Sequence, residues 1–247
     1  MTDITNQDII PNISVDCVIF GFHENELKVF LLNYTGTNLW ALPGGFIEKN
    51  KTIEEAGADI LKERIGLENI FLKQFDVFSN PERSKHAPEI LELIKKIGRY
   101  DVSVFQSRFI SIGLYALLDH TKVTTTLDRY SDKSKWVAID KVKNTILDHK
   151  EIINTALKTL RLQISYTPIG YNLLPQKFTM PEMQSLYETI LGKKLDRRNF
   201  QRKMNAYNIL NKLDEKREGV AHKAPFLYEF NQENYKEALK NGFNNSW

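Results

Sequence analysis

The stretch that decides the fold of the first half of the chain begins with Leu42-Pro43-Gly44-Gly45-Phe46-Ile47-Glu48 and ends with Leu61-Lys62-Glu63-Arg64-Ile65-Gly66-Leu67. Between these two runs, Thr52 and Glu55 have the spacing of a capping box, which predicts that a helix begins just after Thr52. Apolar side chains recur on one face of this helix, and Gly66 supplies its end. The stretch therefore predicts a glycine-containing loop, a helix with one buried face, and a second loop.

Segments typical of strands surround this helix and predict the sheet against which it packs. They are residues 15–19, 27–32, 71–78, 109–118 and 136–139, and each is an alternating or continuous apolar run. Residues 81–100 interrupt the pattern as an insertion that contains a short amphipathic helix after Pro88. A further helix is expected after Asp148, so the predicted fold class is α+β, with a mixed sheet between layers of helices.

The second half of the chain predicts a separate, smaller domain. Residues 165–177 hold two prolines and a glycine without helical period, which is typical of a linker. A helix capped by Thr179, a tight turn, a second helix capped by Asp196 and a two-stranded hairpin then make a winged helix-turn-helix. The predicted organisation is a first domain at 1–164, the linker at 165–177, the winged helix at 178–232 and a C-terminal tail at 233–247.

Charge is unevenly distributed along the chain, which carries 34 Lys and Arg against 31 Asp and Glu. Residues 1–175 hold 21 basic and 22 acidic side chains, whereas residues 176–223 hold 11 basic and 6 acidic. A near-neutral domain joined to a compact basic segment is typical of a nucleic-acid contact in that segment. A lysine-rich solvated surface would give the same count, and charge alone does not separate the two interpretations.

Composition excludes several other classes of protein. Apolar residues make up 42% and charged residues 26% of the chain, as in ordinary globular proteins. The longest nearly uncharged apolar run, 109–118, is about half of the ~20 residues that a membrane helix needs, and no secretory signal opens the sequence. Cys17 is the only cysteine, which excludes an internal disulfide and a multi-cysteine metal site. We therefore expect a reduced, cytoplasmic compartment and no membrane partner.

The loop–helix–loop stretch resembles the signature box of the Nudix hydrolases, in which glutamates hold magnesium against a diphosphate. In this chain Lys51 stands at the position of the upstream glutamate and Asp59 at that of the arginine. The three helical positions that hold the metal are Ile60, Glu63 and Arg64. Only one of these three is a carboxylate, and Asp59 is displaced by about 100° around the helix. The sequence thus predicts no catalytic residue, no metal, no cofactor and no enzyme activity.

The resemblance implies a pocket beside this box, and we predict that a small molecule binds there. Lys51 and Arg64 suit an anionic group without a metal, and Trp40 and Phe46 offer apolar faces to a sugar or a base. The predicted effector-binding residues are Trp40, Phe46, Lys51, Glu63, Arg64, Asp148 and His149. Two alternatives stay open: the box serves only as scaffold, and Asp148 and His149 are only the cap and first turn of a helix.

The second domain carries its basic residues where a winged helix meets DNA. Arg197, Arg198 and Asn199 begin the second helix, and their side chains suit the edges of guanine and adenine. The basic residues one turn later and around the hairpin suit phosphates or the minor groove. The predicted DNA-binding residues are Arg197, Arg198, Asn199, Arg202, Lys203, Lys212, Lys216, Arg217, His222 and Lys223. The alternative is a winged helix that binds another protein.

Several runs in the second half, among them Tyr171-Asn172-Leu173-Leu174-Pro175 and Leu195-Asp196-Arg197-Arg198-Asn199-Phe200, resemble the Nudix-related transcriptional regulators. That family joins a degenerate Nudix domain to a C-terminal winged helix, and it includes sensors of arabinose and of ADP-ribose. The resemblance implies a homodimer that binds a double-stranded DNA operator and responds to a sugar or a nucleotide. We expect a pentose such as arabinose as the effector. The alternatives are an ADP-ribose sensor that regulates NAD metabolism and a magnesium-dependent Nudix hydrolase of nucleoside diphosphate derivatives.

Overall fold

A computed structural model describes residues 8–68, 70–84, 92, 95, 107–118, 125–128, 131–168, 170–171, 173–219 and 224–242. The chain divides into two compact units. The first comprises residues 1–20, 28–116 and 123–156, and the second comprises residues 21–27, 117–122 and 157–247. Among the described residues, no helix is both long enough and apolar enough to cross a membrane.

The first unit is built on a seven-stranded sheet. Its strands are β1 (Ile9–His23), β2 (Glu26–Tyr34), β3 (Trp40–Ala41), β4 (Gly44–Glu48), β5 (Lys73–Phe78), β6 (Ile110–Leu118) and β7 (Ser131–Ala138). Five strands follow the order β3-β2-β1-β6-β5, while β4 pairs with β1 and β7 pairs with β2. Val15 of β1 lies opposite Gly45 of β4, so the glycine-containing loop is held directly against the central strand.

Two helices accompany this sheet. Helix α1 (Ile53–Ile65) has the predicted capping box between Thr52 and Glu55, and Gly66 ends it with a φ of 71°. Helix α2 (His149–Gln163) buries Ile152, Ile153, Ala156 and Leu160. Both helices are confirmed, because their caps and apolar faces are local features of the sequence. Of the predicted insertion, Pro81–Ser84 forms a 3₁₀ turn, whereas the proposed helix after Pro88 lies outside the described residues apart from two isolated positions.

The second unit contains a winged helix. Its elements are β8 (Phe178–Thr179), α3 (Met180–Leu191), α4 (Arg197–Ala206), β9 (Leu210–Lys216), β10 (Phe226–Phe230) and α5 (Gln232–Asn241). The three strands pair in the order β8-β10-β9. Thr179 forms the predicted capping box with Glu182, and Asp196 caps α4 by accepting from the backbone N–H of Asn199. The predicted helix-turn-helix and hairpin are therefore confirmed.

The segments on either side of the winged helix pack more closely than a linker and a tail suggest. Leu173 and Leu174 are buried within the predicted linker, and both backbone N–H groups donate to the carbonyl of Gly170. Helix α5 lies largely in the predicted tail, where Tyr235 meets Phe230 edge-to-face with ring centres 5.2 Å apart. Its hydroxyl donates to the carbonyl of Pro168 at 3.0 Å. One aromatic residue thus joins both flanking segments to the hairpin.

Candidate functional site

Lys51, the cation at the upstream position of the box, is held by two carboxylates. Lys51 Nζ lies 2.6 Å from Oε1 of Glu48 and 2.8 Å from Oδ2 of Asp59. Partial burial disfavours its charge, but the hydrogen bonds to Asp59 and Glu48 raise the pKa of Lys51 above its ordinary value. Ile60 is buried in the helix and offers no ligand atom. Among the described residues, no group of three or more His, Cys, Asp and Glu side chains is placed to hold a metal ion.

Arg64, the second cation predicted to meet an anionic group, lies inside the first unit. Its Nε is 2.8 Å from Oδ2 of Asp128, and its Nη2 donates to Oγ of Ser131 at 3.3 Å. The guanidinium carbon lies 5.5 Å from the ring centre of Tyr34. Both Arg64 and Asp128 have side chains that are at most 6% exposed. The structure therefore neutralises Arg64 with a carboxylate, as it does Lys51, while Glu63 is half-buried on the same helix.

The two predicted aromatic contacts lie in different surroundings. Trp40 is partly exposed, and the ammonium nitrogen of Lys135 lies 3.5 Å from its ring centre. Phe46 is buried and meets the ring of Phe109 edge-to-face, with the ring centres 6.4 Å apart. Trp40 is therefore partly open to solvent, with one face of its ring covered by Lys135, whereas the contacts of Phe46 are those of a core residue.

Behind the glycine-containing loop lies a buried polar cluster, which we call the Asp16 cluster: Asp16, Arg83, Ser111, Asp148 and His149. Arg83 donates from Nε and Nη2 to the two carboxylate oxygens of Asp148, both at 2.8 Å. Its Nη2 also lies 3.9 Å from Oδ2 of Asp16, which accepts a short hydrogen bond from the Ser111 hydroxyl. The side chain of Arg83 is 1% exposed, yet its Nη1 has no hydrogen-bond partner among the residues that the structure describes.

His149 connects this cluster to the box. Its Nδ1 accepts from the backbone N–H of Leu42 at 2.9 Å, and its Nε2 lies 3.5 Å from Oδ1 of Asp16. Burial lowers the pKa of His149, and the attraction of Asp16 opposes this shift only partly. The ring is therefore neutral near pH 7, with its proton on Nε2. Gly44 closes the cluster, since a Cβ on it would lie 2.4 Å from Oδ1 of Asp16.

The sequence identified part of this arrangement. Asp148 and His149 were predicted as effector-binding residues, and the structure does bring them together. The carboxylate of Asp148 binds Arg83, whereas the alternative interpretation assigned Asp148 only the role of capping a helix. Asp16 and Arg83 were missed. A carboxylate inside the apolar run of β1 was the available signal for Asp16, whereas Arg83 lies at the start of the insertion and has no motif.

Helix α4 presents its polar side chains to solvent and its apolar ones to the core of the winged helix. Phe200 and Met204 are buried, while all five predicted DNA-binding residues of this helix are exposed. Arg202 donates to Oδ1 of Asn199 at 3.2 Å. Neither Arg197 nor Arg198 forms an ion pair with another residue in the described part of the chain. Their guanidinium groups are therefore available to a nucleic acid.

The turn before α4 is fixed by Glu188 near the end of α3. Its carboxylate accepts from Nζ of Lys194 at 2.8 Å, from the backbone N–H of Leu195 at 2.9 Å and from Gln184 at 3.0 Å. These hydrogen bonds, with Lys194 as the largest contributor, lower the pKa of Glu188 to about 2. Because Glu188 stays ionised at every physiological pH, the orientation of the turn does not depend on its protonation.

The basic residues of the hairpin have two kinds of surroundings: Lys212 and Lys216 face solvent, whereas Arg217 forms an ion pair within the winged helix. The Nζ atoms of Lys212 and Lys216 lie 3.8 and 5.0 Å from the ring centre of Phe226, which is 37% exposed. Arg217 instead donates from Nη2 to both carboxylate oxygens of Glu182, at 2.7 and 2.6 Å. Arg217 therefore holds the hairpin to the start of α3. The predicted contacts His222 and Lys223 lie outside the described residues.

A mixed-sheet unit with a Nudix-like box, followed by a winged helix, is the architecture of the Nudix-related transcriptional regulators that the sequence resembles. Residues 170–230 match the family described as the NrtR DNA-binding winged helix domain. The ADPR responsive transcriptional repressor NtrR of Acinetobacter baylyi is 28% identical over 233 residues, which cover 91% of this chain and 84% of the repressor. These findings confirm the predicted resemblance.

Solved structures show the same fold over nearly the whole chain. NrtR of Shewanella oneidensis, crystallised with a 27mer DNA, matches with a TM-score of 0.68 at 22% identity, over 94% of this chain and 97% of that one. A MutT/nudix family protein of Enterococcus faecalis matches with a TM-score of 0.63 at 19% identity, over 90% and 86% of the two chains. The predicted fold class is thereby confirmed.

One further relative matches about a third of the chain. The ADP-ribose pyrophosphatase of Methanocaldococcus jannaschii is 33% identical over 93 residues, which cover 36% of this chain and 53% of that enzyme. Both curated relatives carry ADP-ribose in their names. The comparisons therefore favour the ADP-ribose alternative, and the pentose effector expected from the sequence is not supported.

Proposed function

We propose that this chain is a transcription regulator whose winged helix binds a DNA operator and whose Nudix-like unit binds ADP-ribose. The observation that carries the proposal is the match of residues 170–230 to a DNA-binding winged helix family. The exposed guanidinium groups of Arg197 and Arg198 at the start of α4 support it, because arginine at this position reads guanine in the major groove. Lys212 and Lys216 then suit the phosphates beside the hairpin.

ADP-ribose replaces the pentose as the proposed effector because the Acinetobacter repressor, similar over 91% of this chain, is described as ADPR responsive. Trp40 is the accessible aromatic ring for a base or a ribose, and the other predicted effector contacts remain part of the proposal. Hydrolysis is not part of it. Lys51, Ile60 and Arg64 occupy positions at which the hydrolases carry carboxylates, so the diphosphate would meet no metal ion.

Control of transcription would follow from a difference in affinity between two arrangements of a homodimer. Two winged helices match two half-sites when their reading helices lie one helical turn, about 34–36 Å, apart. An effector that binds one arrangement better than the other shifts the population towards it, and the affinity for DNA changes by linkage. Sedimentation of the free protein tests the dimer independently of DNA and effector.

The test is fluorescence anisotropy of the full chain with DNA from upstream of its gene and of the neighbouring genes, with ADP-ribose, arabinose and xylose added in turn. One fragment should bind tightly, bind less tightly as salt rises, and respond to ADP-ribose alone. Arg197→Ala/Arg198→Ala should weaken this binding about 30-fold or more, if each arginine contributes at least about 1 kcal/mol to base readout.

Lys236→Ala/Lys240→Ala removes the same charge from the exposed surface of α5 and serves as the matched control. This control should change the affinity by far less than the arginine variant. Equal losses of DNA affinity in the two variants would mean that the winged helix makes only general electrostatic contacts with DNA. Unaltered binding by the arginine variant would mean that α4 is not the reading helix, and a response to arabinose would restore the pentose interpretation.

A second candidate function is hydrolysis of ADP-ribose, and the similarity to an ADP-ribose pyrophosphatase over 93 residues favours it. It requires magnesium-dependent cleavage of the diphosphate, and this activity should disappear in Glu63→Gln. Absence of turnover by the unaltered protein in the presence of magnesium would eliminate this candidate.

A further inference from the structure

The rotation of helix α4 about its own axis is set by the two side chains that it buries. Phe200 and Met204 lie in the core of the winged helix and are 5% and 1% exposed. Successive residues of an α-helix are about 100° apart around its axis. The side chains that would face a bound DNA can therefore be found from their angles relative to Arg197 and Arg198, the two proposed reading arginines.

Gln201 lies between these two arginines when α4 is viewed along its axis. It is about 40° beyond Arg197 and about 60° short of Arg198, one helical turn further along. Its side chain is exposed and forms no hydrogen bond within the described part of the chain. Asn205 lies in a similar direction another turn later, but the first turns of a reading helix are those that reach base edges. Gln201 is therefore the amide that is best placed beside the arginines.

Asn199, the amide that the sequence predicts for adenine, lies on another side of the helix. It is about 100° beyond Arg198 and about 160° away from Gln201. Its side chain lines a groove between α3 and α4, and its Oδ1 accepts from Nη2 of Arg202 at 3.2 Å. An amide reads adenine with its oxygen and its nitrogen together. The oxygen of Asn199 is already engaged, whereas both polar atoms of Gln201 are available.

We propose that Gln201 reads an adenine of the operator, beside the bases that Arg197 and Arg198 contact, and that Asn199 reads no base. The assignment rests on the proposed function, because it requires α4 to lie in the major groove. There Oε1 of Gln201 accepts from the adenine N6 amino group, and Nε2 donates to adenine N7. A pair of hydrogen bonds of this kind discriminates against a wrong base by about 5- to 150-fold.

The test selects binding sites from a random pool of DNA duplexes, with the full chain and with single variants of it. The unaltered protein should enrich a motif with a required adenine. Gln201→Ala should enrich the same motif without a preference at that position. Gln201→Glu should exchange the adenine for a cytosine, because a carboxylate accepts from the cytosine amino group and cannot donate to adenine N7.

Asn199→Ala is the matched control, because it removes an exposed amide from the same helix. This variant and Asn205→Ala should both keep the adenine preference. Persistence of the full preference in Gln201→Ala would overturn the proposal, and so would its loss in Asn199→Ala or Asn205→Ala. A motif of the unaltered protein that requires no adenine would overturn it as well.

Fluorescence anisotropy then measures the effect on one selected duplex. Replacing the adenine–thymine pair by guanine–cytosine should weaken binding of the unaltered protein by about fivefold or more, and binding of Gln201→Ala by less than about twofold. Because Gln201 is uncharged, the variant should keep the salt dependence of the unaltered protein. A weaker salt dependence in Gln201→Ala would mean that the whole winged helix has lost its contact with DNA, and would overturn a role confined to base readout.

Failure of this proposal can be told apart from failure of the proposed function. Absence of any enriched motif with the unaltered protein would refute sequence-specific DNA binding itself. A motif that depends on Arg197 and Arg198 but not on Gln201 would leave that function standing and overturn only the role of Gln201.

Discussion

Replacing Arg83 by methionine tests whether the Asp16 cluster is a source of stability. Arg83→Met removes two charge-assisted hydrogen bonds of 2.8 Å to Asp148. It leaves the carboxylates of Asp148 and Asp16, which are 14% and 9% exposed, without their guanidinium partner. Breaking a buried pair at one partner costs about 3–5 kcal/mol. We expect the lower end, about 3 kcal/mol, because the substitution also removes the unpartnered Nη1 from the interior.

The assay is urea unfolding monitored by tryptophan fluorescence in a Trp247→Phe background, so that Trp40 and Trp136 report on the first unit. Lys95→Met is the matched control, because Lys95 forms an ion pair of 2.7 Å with Glu92 in which both side chains are more than half exposed. Such a surface pair should contribute less than about 1 kcal/mol. Adding Asp148→Asn to Arg83→Met should recover part of the loss. A loss for Arg83→Met no larger than that of the control would refute this reasoning.

Two further predictions concern the residues around this cluster. Gly44→Ala should lower the free energy of unfolding by about 1–3 kcal/mol, since its Cβ would lie 2.4 Å from Oδ1 of Asp16 and 2.9 Å from a backbone oxygen. Gly57→Ala should lower the free energy of unfolding by less, because its closest contacts are the ends of leucine side chains and alanine favours the helix. Urea unfolding measures both variants. Equal losses of stability in the two would contradict the steric argument. His149→Asn keeps an acceptor for the N–H of Leu42 but does not titrate. Because the pKa of His149 is lowered in the folded protein, the unaltered protein should lose stability as the pH falls through about 6.5, the ordinary pKa of histidine. If the His149→Asn variant showed the same pH dependence, another group would be responsible.

The elements that could be predicted from the sequence are those with local causes. Thr52 with Glu55 and Thr179 with Glu182 fix the starts of α1 and α3 through hydrogen bonds across three residues. Gly66 ends α1 because the left-handed conformation costs glycine little. The exposed arginines at the start of α4 also follow from local order, since Asp196 sets where the helix begins.

The partners of charged residues could not be predicted, because they come from distant parts of the chain. Lys51 and Arg64 were assigned to an anionic ligand from their charge alone, yet each has a carboxylate partner within the first unit. Arg64 and Asp128 are 64 positions apart in the sequence, and no periodicity links them. The helix in the predicted tail was missed for a related reason. Its packing depends on Tyr235, whose contacts with Phe230 and Pro168 are tertiary.

The lack of space beside Gly44 has a consequence for how signature motifs are interpreted. Gly44 precedes Gly45, the first glycine of the box pattern, and is required by the oxygen atoms of Asp16 and Val15 that would collide with a Cβ. Packing alone therefore requires a glycine at this position, whatever the chemistry of the box. A glycine in this stretch therefore reports on the fold, and the charges at positions such as Lys51 and Arg64 are the better guide to chemistry.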